Sequence, residues 1–169
     1  MDFLENIVIG YYIRESHQGF GAALFGGLLL IIAVLLFRSA PPRSLAKGLT
    51  LPLLLVGLIM GLGGLADGYS SRSAIPRKIE LFRKSPKAFF DREVPQVERT
   101  HNAWFMIRII WGTFTVLGIG LLCFVRKEYW MGVGLGLLIL SIGGHVEEAI
   151  SKNFNERYYL DVVAEAGKY

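Results

Sequence analysis

Apolar positions along this 169-residue chain gather into four long blocks. They cover residues 19–37 (GFGAALFGGLLLIIAVLLF), 49–66, 103–125 and 130–150. Each is close to the ~20 residues that a helix needs to cross a hydrocarbon core of ~30 Å. The pattern predicts an all-α polytopic membrane protein: four transmembrane helices in an up-down bundle, forming a membrane domain over residues 18–150. An even number of crossings places both termini on the same side.

The flanks carry a different pattern. In residues 1–17 the apolar positions Phe3, Leu4, Ile7, Val8, Tyr11 and Tyr12 recur at helical spacing. That predicts a short interfacial amphipathic helix with its tyrosines at headgroup level. The first link, RSAPPRSLAK, is basic and broken by adjacent prolines. The longest polar segment, 67–102, predicts an amphipathic loop of short helices on the bilayer surface. Ile75-Pro76 is expected to break the chain there. Ser85-Pro86 is a helix start, with Ser as cap and Pro in the first turn. Ile79, Phe82, Phe89 and Phe90 line the apolar side of this loop and are candidates for partner binding. Residues 151–169 predict a helical tail continuing the fourth span.

Composition narrows the class. The chain is 53% apolar, with mean hydropathy +0.45. Its single cysteine, Cys123, excludes an intrachain disulfide, a thiolate metal cage and a dithiol redox motif. Asp2 and Glu5 precede the first span where a cleavable leader would carry basic residues, so none is expected. The net charge of +4 comes from segments beside spans, which points to anionic lipid rather than nucleic acid. The two short loops hold five Lys/Arg and the opposite side twelve. This favours termini in the cytoplasm, while the flanks of the first span, with Arg14 before it and Arg38, Arg43 and Lys47 after it, point the other way.

Small residues recur within the spans: Gly19, Ala23 and Gly27 in the first, with Ala22 and Gly26 alongside, Gly57, Gly61 and Gly64 in the second, Gly132, Gly136 and Gly144 in the fourth. Apolar helices gain no hydrophobic energy by meeting in lipid, so close backbone approach must supply the contact. These stripes predict either intramolecular seams or a face for a second copy.

One stretch concentrates candidate chemistry. VERTHNAWFMIRIIW places Glu98 and His101 three apart, with Arg108 seven further on, all on one side of a helix entering the membrane. Arg108 inside a span costs about 2.5–3.5 kcal/mol on insertion scales and calls for a carboxylate partner. Asp67, Glu147 and Glu148 are the candidates, and His145 shares a face with Glu148. Three readings follow for this cluster at one membrane face. The first is an ion-pair network that fixes helix phase. The second is a metal or haem site built from Glu98, His101, His145 and Glu148, since bundle metal sites combine Glu-x-x-His pairs. The third is a polar cleft in an oligomeric channel or carrier. No phosphate loop, nucleophile elbow or H-E-x-x-H motif occurs in the sequence.

The stretches SPKAFFDREVPQVER and NERYYLDVV resemble small four-span bacterial membrane proteins, a likeness that implies a fold and no functional residues. VERTHN is similar to part of a helix in membrane glutathione transferases, also four-span. The arginine and glutamate pattern of that family is incomplete here, so its chemistry is not carried over. The sequence therefore predicts a non-enzymatic accessory or interaction protein without a resident cofactor. It would bind membrane lipid and a protein partner or a second copy, for example as an immunity protein against a membrane-active toxin.

Overall fold

The computed structural model describes residues 3–169, the Glu5 side chain excepted. Four long helices pack antiparallel. A π-helical turn, Leu4–Ile9, runs directly into α1 (Gly10–Ser39). It is followed by α2 (Leu45–Lys84), α3 (Pro86–Phe124) and α4 (Glu128–Ala166). All four are long and apolar enough to cross a membrane, as expected of an integral membrane protein.

The helices are much longer than the membrane is thick. The 40 residues of α2 extend about 60 Å at 1.5 Å each, against a core of ~30 Å. The outer parts of all four therefore stand beyond the apolar segments and form a helical head. Two short-helix expectations are corrected here. Residues 67–84 continue α2 and residues 86–102 begin α3, so the long polar segment is a helical hairpin and not a surface loop. Likewise, the described part of 1–17 is continuous with α1, and Leu4, Val8, Tyr11 and Tyr12 are buried in the head rather than laid on a bilayer. Met1 and Asp2 lie outside the described residues.

Pro76 explains part of the misreading. A proline inside a helix costs about 3 kcal/mol and removes one backbone hydrogen bond. Here α2 continues through it, because Ala74, Ile75, Ile79, Leu81 and Phe82 on either side pack against the head core. Tertiary packing outweighs the local signal. The Ser85-Pro86 start is as expected: Ser85 Oγ accepts a hydrogen bond from the Ala88 amide at 3.2 Å. Ser44 caps α2 in the same way through the Lys47 amide, also at 3.2 Å.

In the membrane the helices follow the order α1, α2, α4, α3; among the described residues the backbones of α1 and α3 do not approach, and the two helices touch only in the head, through side chains such as Tyr12 and Glu93. Glycines set the seams within this one chain. A Cβ on Gly19 would lie 2.5 Å from the Gly68 amide nitrogen, and one on Gly26 would strike the backbone at Gly61. Gly48 and Gly132 do the same for α2 and α4, while Gly118 and Gly134 bring α3 to α4. The α1 seam uses Gly19 and Gly26, whereas Gly27 faces open space. Ala23 keeps its expected place, since a Cβ on Gly64 would lie 2.6 Å from its amide nitrogen, so the seam runs along Gly19, Ala23 and Gly26.

Candidate functional site

The head has a polar centre that its sequence does not advertise. Glu93 is 0% exposed. It sits at the third turn of α3, in AFFDREV, flanked by the Phe89, Phe90 and Val97 packing face. The Tyr12 and Tyr158 hydroxyls donate to its Oε1 at 2.8 and 2.7 Å. Lys78 from α2 pairs with its other oxygen and also donates to Gln96 Oε1 at 3.0 Å. A buried carboxylate is tolerable only when paired and hydrogen-bonded in this way. Burial, with Glu93 beside them, pushes the Tyr12 and Tyr158 phenols far above their ordinary range, so both act as neutral donors. The Tyr11 and Tyr158 rings stack 3.8 Å apart, and the Tyr11 hydroxyl donates to Asn155 Oδ1 at 2.6 Å.

A second carboxylate, Glu15, stands beside this core. It accepts from Ser71 at 3.0 Å, and shares with Asn155 the single hydrogen of the Tyr11 hydroxyl, 3.1 Å away. Burial raises its pKa above the ordinary 4.5, and these two donors only partly offset that. Glu15 lines a cleft of about 690 Å³ on the head surface, together with Asp67, Arg77, Lys78, Lys84 and Arg92.

At the membrane boundary the expected cluster is divided rather than gathered. Arg108 does find a carboxylate, and it is Glu148: Nε and Nη2 donate to Oε1 at 3.0 and 2.8 Å. His145 Nδ1 lies 3.5 Å from the other Glu148 oxygen. Deeper still, Ser141 Oγ donates to the Trp111 carbonyl at 2.8 Å and meets Thr115 Oγ1 at 2.6 Å. These contacts pin α3 to α4.

The other expected members lie elsewhere. His101 stacks on Tyr159, with ring centres 4.6 Å apart. Tyr159 is 14 residues from His145 on α4 (159 − 145), about 21 Å of helix. One metal or haem iron therefore cannot be shared by His101 and His145. Glu98 is exposed. Asp67 opens onto the head cleft and Glu147 onto a separate groove between α1 and α4. Among the described residues, no three His, Cys, Asp or Glu side chains converge to hold a metal ion. The Glu98, His101, His145 and Glu148 metal centre is thus not assembled, because helix rise separates its two halves.

The candidate partner-binding residues are also placed differently. Phe89 and Phe90 are 0% and 4% exposed and belong to the head core, with Ile79 and Phe82 packed against them. An amphipathic pattern shows which side is covered, but not whether lipid, a partner or the same chain covers it. Tyr12, Lys78, Glu93 and Tyr158 were missed because they are scattered over four elements. The one available signal was a Glu on the apolar side of AFFDREV, four residues after Phe89.

Comparison with protein-family models, curated proteins and solved structures gives no match for this chain.

Proposed function

We propose that the chain is a non-enzymatic accessory protein of a bacterial inner membrane. Its rigid cytoplasmic head would dock an acidic segment of a partner protein. The observation that carries this reading is the cleft of about 690 Å³ on the head, lined by Arg77 and Arg92, by Lys84 in its pair with Glu80, and by Asp67 and Glu15. Other charges are committed to the fold: Lys78 holds Glu93 beside the cleft, and Arg108 holds Glu148 at the membrane boundary. The rim arginines are the charges that remain for a partner. The head's surplus of Lys and Arg over the two short loops supports a cytoplasmic location.

A photo-crosslinking residue at position 70, on the wall of the cleft, tests the reading in living cells. The expected product is a single protein adduct that disappears when Arg77 and Arg92 are both changed to Glu. Adducts only to lipid or to a second copy of the chain would sink the proposal. Elemental analysis of the purified protein is a further check, since stoichiometric metal is incompatible with it.

A further inference from the structure

A groove runs along the membrane part of the molecule, and its chemistry changes with depth. Its volume is about 680 Å³, within the range of small-molecule sites. Phe25, Leu29, Val56, Leu140 and Trp111 form its deep walls, while Arg14, Gln18, Asn153 and Arg157 stand at its mouth. Glu147 lies between the two zones. The groove exists because α1 and α4 engage on the head side, through Gln18 with Ser151 and Tyr11 with Asn155, while farther in α2 forms a floor between them.

Contacts between α1 and α4 set the depth scale. Gln18 engages Ser151, and Tyr11 engages Asn155. Arg14 is four residues outward of Gln18, and Glu147 is four residues inward of Ser151. The two charges are therefore separated by about 12 Å along the axis. Arg157 is six residues outward of Ser151, about 9 Å, so both arginines reach the same outer zone. From Gly21 to Leu29 the groove follows α1 for about 12 Å, close to the depth of one leaflet. Among the described residues Arg14 and Arg157 make no ion pair with a carboxylate of the chain, and neither does Glu147.

The geometry points to a single-chain anionic phospholipid from the bilayer as the occupant of this groove. Its phosphate would lie between Arg14 and Arg157, the pair best suited to charge-assisted hydrogen bonds to phosphate oxygens. Its one acyl chain fills the apolar floor. The free hydroxyl of the backbone glycerol, which is esterified in a two-chain lipid, lies inward of the phosphate and donates to Glu147. Each charged group facing the groove then has a partner, and the inference does not depend on what the head binds.

The test uses the full chain in neutral detergent, with Trp104→Phe and Trp130→Phe leaving Trp111 as the only indole. The probe is single-chain phosphatidylglycerol brominated on its acyl chain, which quenches an adjacent tryptophan. Saturable quenching is expected. The corresponding monoacylglycerol, which has no phosphate, should need about tenfold more, the loss expected for charge-assisted contacts. Arg14→Gln with Arg157→Gln should erase that preference. Gly21→Phe or Gly143→Phe should abolish saturation, because a Cβ at either position meets nothing within 4 Å and the new ring can occupy the groove. Equal quenching with and without phosphate would overturn the proposal. So would saturation that survives both Phe variants, equal competition by two-chain phosphatidylglycerol, or self-association that shields Trp111. If the tryptophan variants fail to fold, native mass spectrometry of the unaltered chain with the same lipids gives the same comparison.

Discussion

The head and the membrane half are built from the same four helices but held by opposite means. The head buries large side chains: Tyr11, Tyr12, Phe89, Phe90 and Tyr158 form one cluster with Leu4, Val8, Val97 and Val162. The membrane half has a smaller buried set, Leu29, Ala33, Leu53, Val56 and Leu140, and depends on glycine seams. The difference follows from the surroundings. In water, burying an aromatic ring removes apolar surface from solvent and stabilises the fold. In lipid that gain is absent, and contact between backbones replaces it. Leu24, Leu62, Phe105 and Val116, each about two-thirds exposed or more, belong to the lipid-facing band.

The largest expected effect comes from removing the polar centre of the head. Glu93→Ala leaves two phenols buried without their acceptor and takes the counter-charge from Lys78. Breaking a buried pair by removing one partner costs about 3–5 kcal/mol. Hydrogen exchange should show lost protection around residues 8–16, 76–97 and 154–162, with the membrane half still protected. If protection falls equally in both halves, the two are one cooperative unit and the contrast fails.

The membrane seam comes next. Gly26→Leu forces α1 away from the α2 backbone, and overpacking of this kind costs about 1–3 kcal/mol. Gly27→Leu faces open space and should be neutral in the same detergent-unfolding assay. The pair of variants asks whether contact or mere glycine content holds α1 to α2. Equal destabilisation by both would show that the seam does not lie where the backbones meet.

A smaller effect is expected at Arg108, whose side chain is still 58% exposed. Its pairing with Glu148 should be worth about 1 kcal/mol, the scale of polar contacts between membrane helices. A double-mutant cycle with Arg108→Leu and Glu148→Gln measures that coupling directly. The double variant should be better tolerated than Arg108→Leu alone, since the carboxylate is neutralised together with its partner. Additive effects would remove the ion pair from the account of how α3 meets α4.

These expectations also mark what was legible in the sequence. The four spans, their antiparallel order and the Ser85 cap follow from local patterns: length, apolarity and a Ser-Pro pair. The Arg108 partner was narrowed to three carboxylates by depth, and the facing geometry selects Glu148. The continuous helices through 67–102 were not legible, because Pro76 is locally a breaker and packing against α1, α3 and α4 in the head core offsets it. The Glu93 centre was invisible for a related reason. Its partners Tyr12, Lys78 and Tyr158 stand on three other helical segments, and no spacing rule links them. The metal reading failed on depth: His101 and His145 each have a Glu three residues away, but they lie at different heights.

The smallest expected effect concerns the charge of Glu15 at the edge of the head. Burial raises its pKa above 4.5, and the nearby Asp67 and Glu93 charges act in the same direction. A carboxyl group whose folded pKa is raised binds its proton more tightly in the native state than in the unfolded chain. Its contribution to stability is therefore fully present below pH 4.5 and declines as pH rises through the folded value. The Glu15→Gln variant keeps an acceptor for Ser71 or Tyr11 and carries no charge at any pH. It should flatten the fall in head stability above pH 4.5 and melt slightly higher than the parent at pH 7. The membrane half, reported by Trp111, should show no such pH difference between the two proteins. Were the parent and Glu15→Gln heads to share one pH profile, the cost of that buried charge would be met by Ser71 and Tyr11 alone. Glu15 would then be as well satisfied as Glu93, and the edge of the head no weaker than its centre.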